Sequence, residues 1–484
     1  MDINQSNRRN FLRQISIGTG LLASGFGGLA SCSTSSKAIS KVGSPQFNMS
    51  GFVAPKIDTV RIGMIGLGAR GRHAVVRLIQ IENVEVKAIA DKLEEKVSYT
   101  QNNLQKLGLP KAAEYYGSEN EWKKLCERDD IDLVYICSPW AWHTPMAVYA
   151  MEHGKHVCVE VPAAKTIEEA WQLVETSERT RKHCMMLENC CYDFFELLTL
   201  NMARQGFFGE LVHAEAAYIH TLLDGNFEKG RYVDMWRLKE NLRNGNLYPT
   251  HGLGPVSQAL NINRGDQMEF LTSVSSNDFQ MGKRANELAQ HDRFYEEFAG
   301  KPFRGNMNTS IIKTIKGKTI MVQHDVTSTR PYSRIHLLSG TNGVASKWPG
   351  PAKISIGHEW LNEKEMKELE KKFMPLIVNH IGEIAKEIGG HGGMDFMMDW
   401  RTIDCLRNGL ALDQDVYDAA LWSSIAPLTE WSVANRSNSI DIPDFTRNAW
   451  KTNSPVELTL KGGGTTGVNK GMISKASNIM EQME

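Results

Sequence analysis

The sequence predicts an α/β chain in two parts: an N-terminal parallel sheet wrapped by helices, then an α+β part on a largely antiparallel sheet. Three observations predict it. A short β-rich run at 59–65 leads directly into Gly66-Leu67-Gly68-Ala69-Arg70-Gly71 and then into a helical pattern. Strand-like and helix-like segments go on alternating, as parallel βαβ units do. From about residue 210, strand-like runs recur without regular intervening helices, which predicts antiparallel pairing.

The chain has 484 residues, 41% hydrophobic and 23% charged. That is ordinary globular composition, with room for two or three domains. Lys and Arg number 55 against 56 Asp and Glu, a net charge of -1. No basic excess is present to grip a phosphate backbone, so nucleic acid is not an expected partner. No run of about 20 purely apolar residues occurs, so no series of membrane-spanning helices is expected.

The first residues read as an address. Asn7-Arg8-Arg9-Asn10-Phe11-Leu12 carries a twin arginine of the Tat export type. A weakly apolar, Gly-rich stretch follows at 15–30, then Leu29-Ala30-Ser31-Cys32, which resembles a lipobox. We expect a Tat-type lipoprotein signal over 1–32 and a flexible tether over 33–56. Lipid on Cys32 would be the only membrane contact, in the periplasm or cell envelope. A plain cleaved signal or a disordered tail is the simpler alternative. The remaining cysteines (Cys126, Cys137, Cys158, Cys184, Cys190, Cys191, Cys405) form no C-x-x-C pair. Buried free thiols are expected, and no metal site.

The glycine motif sits between a strand and a helix, the context its chemistry requires. Gly66 permits the tight turn, Gly68 lets backbone approach a pyrophosphate, and Gly71 permits close helix–strand packing. The helix start offers free N–H groups to the phosphates. A second strand, 84–90, ends at Asp91, where a Rossmann domain carries its acidic ribose ligand. A carboxylate there repels a 2′-phosphate and favours NAD over NADP, whereas Arg70 could hold such a phosphate. Strands at 131–138 and 156–161 bracket Pro139-Trp140-Ala141-Trp142-His143-Thr144 and a helix at 145–153. Ligands bind beyond the carboxyl ends of parallel strands, which places Trp140, His143, Glu160 and Val161 at the cofactor edge. Local packing is the alternative for His143.

A sixth strand is expected at 183–189 and a helix at 190–203. Antiparallel strands are expected at 211–219, 269–275, 308–315, 319–325 and 333–339. Helices are expected at 363–388 and 395–408, and loops after Gly462. One face of the second sheet would cover the cleft, and the other would suit a homo-oligomer. The expected domains are 57–188 for NAD, 189–450 for substrate and oligomerisation, and a tail at 451–484. Asn246-Leu247-Tyr248-Pro249-Thr250-His251-Gly252 reads as a rigid loop opening a helix at 254–260. Tyr248 and His251, three apart, can face the same way there, and both residue types carry protons. A connecting loop with both side chains satisfied is the alternative.

The motifs GLGARGR, SPWAWHTP and HGKHVCVEVP, in that order, resemble the glucose–fructose oxidoreductase and inositol dehydrogenase superfamily. Members of that superfamily ordinarily carry Glu-Lys-Pro after the fifth strand; here it is Glu160-Val161-Pro162. Valine cannot transfer a proton. With WAWH, ENCCYD, WR and NLYPTHG downstream, the sequence is similar to the NAD-dependent glycosidases of glycoside hydrolase family 109, of the α-N-acetylgalactosaminidase type.

The resemblance implies transient oxidation of the sugar at C3, elimination across C2–C1, addition of water and re-reduction. It implies NAD on Gly66, Gly68, Ala69, Arg70, Gly71, Asp91, Trp140, His143, Glu160, Val161, Asn189 and Tyr248. It implies a glycan or glycoside on Tyr218, Arg237, Tyr248, Pro249, Thr250, His251 and Tyr332. His251, Tyr248, Tyr192 and Glu160 are the expected catalytic residues, with His251 accepting the C3 hydroxyl proton and Tyr192 the C2 proton. An exported protein finds little free NAD, so its cofactor should travel bound and be regenerated each turnover. Two alternatives remain: a sugar oxidoreductase with captive NAD(P), and a non-catalytic sugar- or nucleotide-binding lipoprotein.

Overall fold

The computed structural model describes residues 47–483. The expected export signal, Cys32 and most of the tether lie outside the described residues. The first sheet has β1 (Val60–Ile65), β2 (Val84–Ala90), β3 (Ala113–Tyr115), β4 (Leu133–Ile136), β5 (His156–Val159) and β6 (Cys184–Met186), in the order β3-β2-β1-β4-β5-β6. Every pairing in it is parallel. All residues of β4 and β5 are buried, because helices cover both faces of such a sheet. The chain departs from β1 to β2 on one side and returns to β4 on the other. The loops after β1 and β4 therefore diverge and leave a crevice at their carboxyl ends.

The second sheet holds β7 (Leu211–Ile219), β8 (Met268–Ser275), β9 (Asn308–Thr314), β10 (Thr319–Asp325), β11 (Leu337–Gly340), β12 (Gly343–Ser346), β13 (Lys353–Ile356), β14 (Glu359–Trp360) and β15 (Ile440–Asp441). Their order is β14-β13-β12-β11-β7-β10-β9-β8-β15. All neighbours are antiparallel except β7 and β10. Alternation sorts the faces: Ile312 opposite Ile320 is buried, while next to them Ile311 opposite Met321 faces outward. The inner face packs on the helix Thr250–Ala259. There a Cβ on Gly252 would lie 2.4 Å from the Ala217 nitrogen, so only glycine lets the helix sit that close to β7. The outer face exposes Val212, Val274, Ile311 and Ile315.

Several expected boundaries are corrected. The helix expected at 190–203 is a 3-10 turn, Asn189–Tyr192, followed by a helix Phe194–Arg204. Asp193 divides them because its carboxylate accepts from the Phe195 N–H as an N-cap. The expected helix 363–388 is two, Glu363–Phe373 and Leu376–Ile388. Pro375 breaks it by holding Met374 in an extended conformation. The strand expected at 333–339 begins only at Leu337, since Ile335 is left-handed (φ 59°). The helix placed at 254–260 starts earlier, at Thr250, and so takes in His251. The tail is not all loop: Lys470–Glu481 is a helix, and Val468 just before it bridges to Ile81. The long helix Val416–Ala434 escaped the sequence reading. It is buried almost all round, so it carries no amphipathic stripe to recognise.

Candidate functional site

The crevice beyond β1, β4 and β5 opens into a cleft of about 630 Å³, within the size range of cofactor and small-molecule sites. Residues at the end of β7 and in the loop and helix at 248–251 line its other side.

At the glycine turn, Gly66 has φ 86°, and a Cβ on Gly71 would lie 1.8 Å from the Gly66 oxygen. A Cβ on Gly68 would meet nothing within 4 Å. Gly66 and Gly71 are thus demanded by the protein's own packing, whereas Gly68 leaves open space for a pyrophosphate. Gly68 caps the helix Ala69–Leu78 with no side-chain acceptor, so its first N–H groups remain for an anion. Asp91 also lines the cleft, fixed by the N–H groups of Leu67 (2.7 Å) and Leu93 (3.0 Å). The Arg70 guanidinium, the group able to recognise a 2′-phosphate, is held by Glu160 at 2.7 Å and Asp395 at 3.0 Å. The residues present fit NAD.

His143 is buried, its ring nitrogens each 2.7 Å from a carbonyl oxygen, of Ser138 and of Pro162. It braces the two loops that frame the cleft, and burial lowers its pKa. Val161 is buried beside Glu160.

An aromatic group forms the opposite wall. Trp140 stacks on Tyr248 at 5.7 Å, and Tyr218 lies 4.7 Å from Tyr248. The Arg237 guanidinium sits 5.2 Å from the Trp140 ring centre and 5.3 Å from that of Tyr248, a cation–π arrangement. Burial pushes the Tyr248 phenol well up, and Arg237 offsets only part of that. Tyr248 therefore enters as a neutral hydroxyl.

Two imidazoles, each paired with a buried carboxylate, line the same cleft. His251 Nδ1 is 2.8 Å from Glu188 Oε1, and Glu188 has no exposed side-chain surface. Burial pushes the Glu188 carboxyl up, but His251, Thr250 and the Cys190 N–H together hold it below its ordinary value. His391 Nδ1 is 2.9 Å from Asp395 Oδ2. Its ring is half-exposed and sits in Gly389-Gly390-His391-Gly392-Gly393, all four glycines having positive φ. Glu188, Cys190 and His251 offer ligand-type atoms within 4.8 Å of one another, but burial drives the Cys190 thiol well up and keeps it from being a ready thiolate ligand.

Of the residues singled out in the sequence, Gly66, Gly68, Ala69, Arg70, Asp91, Trp140, His143, Glu160, Val161, Asn189, Tyr218, Arg237, Tyr248 and His251 line the cleft. Gly71, Tyr192, Pro249, Thr250 and Tyr332 do not. Gly71 acts through packing. Pro249 and Thr250 start the helix that presents His251. Tyr332 lies just outside, its ring 5.3 Å from His220 and its hydroxyl accepting from Arg334.

Tyr192 is the main correction. It is 2% exposed, and its hydroxyl donates to Asp413 at 3.3 Å, within a buried Asp413–Arg401 pair. Burial drives its phenol well up. The 3-10 turn directs it into the core, so it cannot take a proton from a sugar. His220 and His391, which belong to none of the motifs read in the sequence, both line the cleft. Strand alternation from Tyr218 signals the first, and the paired glycines around His391 signal the second.

Residues 192–452 match the family model for the glycosyl hydrolase 109 C-terminal domain, and residues 60–188 that for the oxidoreductase family NAD-binding Rossmann fold. The chain is 47% identical to a glycosyl hydrolase family 109 protein of Shewanella pealeana, over 93% of this chain and 99% of the relative. One from Shewanella baltica is also 47% identical, over 93% of this chain and 98% of the relative. Among solved structures, levoglucosan dehydrogenase in complex with NADH and levoglucosan has a TM-score of 0.59 at 15% identity, covering 80% of this chain and all of that one. Apo scyllo-inositol dehydrogenase from Lactobacillus casei has a TM-score of 0.57 at 12% identity, covering 80% of this chain and 99% of that one.

Proposed function

We propose, because the chain belongs to the glycosyl hydrolase 109 family, that this NAD-binding enzyme acting on sugars hydrolyses terminal α-N-acetylgalactosamine residues through a transient C3 ketone. The observation that carries the reading is the convergence of two carboxylate-backed imidazoles on one cofactor cleft, with Val161, which cannot carry a proton, beside Glu160. NAD supplies, when bound, the acceptor and later the donor of a hydride at C3.

The chain's own groups handle the protons. His251, backed by Glu188, accepts the C3 hydroxyl proton. His251 passes that proton to solvent in the open cleft and then takes the C2 proton on the same Nε2, replacing Tyr192 in this role, while the neutral Tyr218 and Tyr248 hydroxyls position the sugar. As the C1–O bond breaks, His391 gives a proton to the departing oxygen. It then takes one from the water that adds at C1, so protons balance over the cycle. Arg237 offers its fork to acetamide or hydroxyl oxygens, and the Trp140 and Tyr218 rings offer flat apolar faces to the pyranose.

Purified protein given p-nitrophenyl α-N-acetylgalactosaminide in D₂O, with no NAD added, is expected to release p-nitrophenol. The sugar should carry deuterium at C2 and retain its C3 hydrogen, read by proton NMR. Cleavage without C2 deuterium would refute the elimination route. A free oxidised sugar with no cleavage would point to an oxidoreductase instead.

We propose Tat-type export and lipid attachment at Cys32, on the strength of the Arg8-Arg9 pair and Leu29-Ala30-Ser31-Cys32. Cys32→Ala is expected to shift the protein from the membrane to the soluble fraction with activity intact; continued membrane attachment would defeat the lipobox reading.

A further inference from the structure

We propose that Asp395 is a positioning residue that sets the leaving-group acid in place and ties it to the cofactor side of the cleft. The proposal deepens the glycosidase reading and rests on the role given there to His391.

Asp395 is 1% exposed and opens the helix Met394–Asn408, directly after the glycine loop. Its two oxygens are shared among three groups that line the cleft. Oδ2 faces His391 Nδ1 at 2.9 Å and Arg70 Nη1 at 3.0 Å. Oδ1 accepts from Asn189 Nδ2 at 2.5 Å. Arg70 passes the connection on to Glu160. Behind them, Arg77 lies 3.7 Å from Asp395 but has its closer carboxylate in Asp399, at 2.9 Å. The structural cation is thus served mainly by another acid, and Asp395 is turned toward the cleft.

The chemistry follows from that geometry. Burial works against ionisation of Asp395, but Arg70, Arg77 and the His391 hydrogen bond together hold the carboxyl well below its ordinary range. An ionised carboxylate only accepts hydrogen bonds, so it requires the proton on His391 Nδ1. The hydrogen bond made by one imidazole nitrogen fixes the state and aim of the other. In the imidazolium form, whose charge the Asp395 carboxylate balances, the second proton stands on His391 Nε2 at the half-exposed edge, for the departing oxygen. The anchor matters because His391 carries the one side chain in this five-residue loop. Four of its five residues are glycines, and His391 itself has φ 48°. A Cβ on Gly390 would lie 2.7 Å from the Asp395 Cβ, so loop and carboxylate are packed as one unit. The same carboxylate orients Asn189 and Arg70, so His391 is placed in register with the groups that line the cofactor end.

The test compares two substrates. A methyl α-glycoside of the sugar needs its leaving oxygen protonated, whereas a 2,4-dinitrophenyl α-glycoside does not. His391→Ala, Asp395→Asn and the double variant are assayed on both, alongside NAD content per chain. Asp395→Asn is expected to lower turnover of the methyl glycoside roughly 10- to 100-fold, a share of the 100- to 10,000-fold that a proton-transfer group is worth. It should cost the dinitrophenyl glycoside little, with NAD content unchanged. In the His391→Ala background it should cost nothing further. Equal losses on both substrates, or an undiminished loss in the His391→Ala background, would overturn the positioning role while leaving the glycosidase reading intact. If His391→Ala itself spares the methyl glycoside, the acid assignment falls and this proposal with it. Should Asp395→Asn lose NAD or fold poorly, Asp395→Glu takes its place. That variant keeps the charge and displaces it by one methylene; the same selective loss is expected, and equal loss on both substrates overturns the proposal.

Discussion

His251→Ala is expected to lower turnover roughly 100- to 10,000-fold while the protein keeps its NAD. The imidazole sits 4.8 Å from Tyr248 and 5.3 Å from Tyr218, ring centre to ring centre, on the cleft wall. Glu188 fixes its Nδ1, which leaves Nε2 as the working atom. No group of the glycine turn or Asp91 is touched by the change, so cofactor binding should persist. Stability will also respond. Removing the imidazole leaves Glu188 buried beside a vacated partner, and an uncompensated buried charge costs about 3–5 kcal/mol. His251→Gln separates the effects, because an amide can still donate toward Glu188 but cannot shuttle a proton. Turnover, melting temperature and NAD released on denaturation are the three readouts. Near-normal turnover in the folded Gln variant would remove His251 from the mechanism.

Gly71→Ala is expected to abolish NAD retention and destabilise the fold, whereas Gly68→Ala should abolish NAD retention alone. The contrast comes from what each added methyl would meet. At Gly71 it falls 1.8 Å from the backbone oxygen of Gly66 and 2.9 Å from its carbonyl carbon. Backbone cannot swing aside as a side chain can, so the turn and the helix Ala69–Leu78 must part. Overpacking typically costs about 1–3 kcal/mol, and this contact belongs at or above the top of that range. At Gly68 the methyl enters open space in the protein alone but occupies the approach of the pyrophosphate. A Gly68→Ala protein that melts normally and still carries one NAD per chain would show that the cofactor lies elsewhere.

The sequence made some of this legible through local chemistry. The glycine spacing, the apolar runs at β1, β2, β4 and β5 and the acid at Asp91 each depend on a few neighbouring residues. That is why fold, cofactor and one wall of the cleft could be read without coordinates. Tyr248 and His251 were readable for the same reason, being three residues apart at a helix start. Val161 in the place of a lysine was a one-position departure visible in the string itself.

Direction and partnership were decided elsewhere. Tyr192 stands in a promising motif, yet the N-cap made by Asp193 ends the 3-10 turn and leaves the phenol on Asp413, 221 residues away in sequence. His391 had no legible role because its meaning comes from Arg70 and from Asp395, the latter bonded to Asn189 206 positions earlier. Glu188 acquires a function only where the helix Thr250–Ala259 packs near enough to set His251 on it. The sequence by itself determined the parallel sheet, the cofactor turn and the acid at its ribose end, because turn geometry and hydrophobic alternation act over a few residues. Only the tertiary structure decided which histidines meet carboxylates and which tyrosine is lost to the core. Those outcomes depend on contacts across hundreds of residues and on burial, and neither is a property of any short stretch of chain.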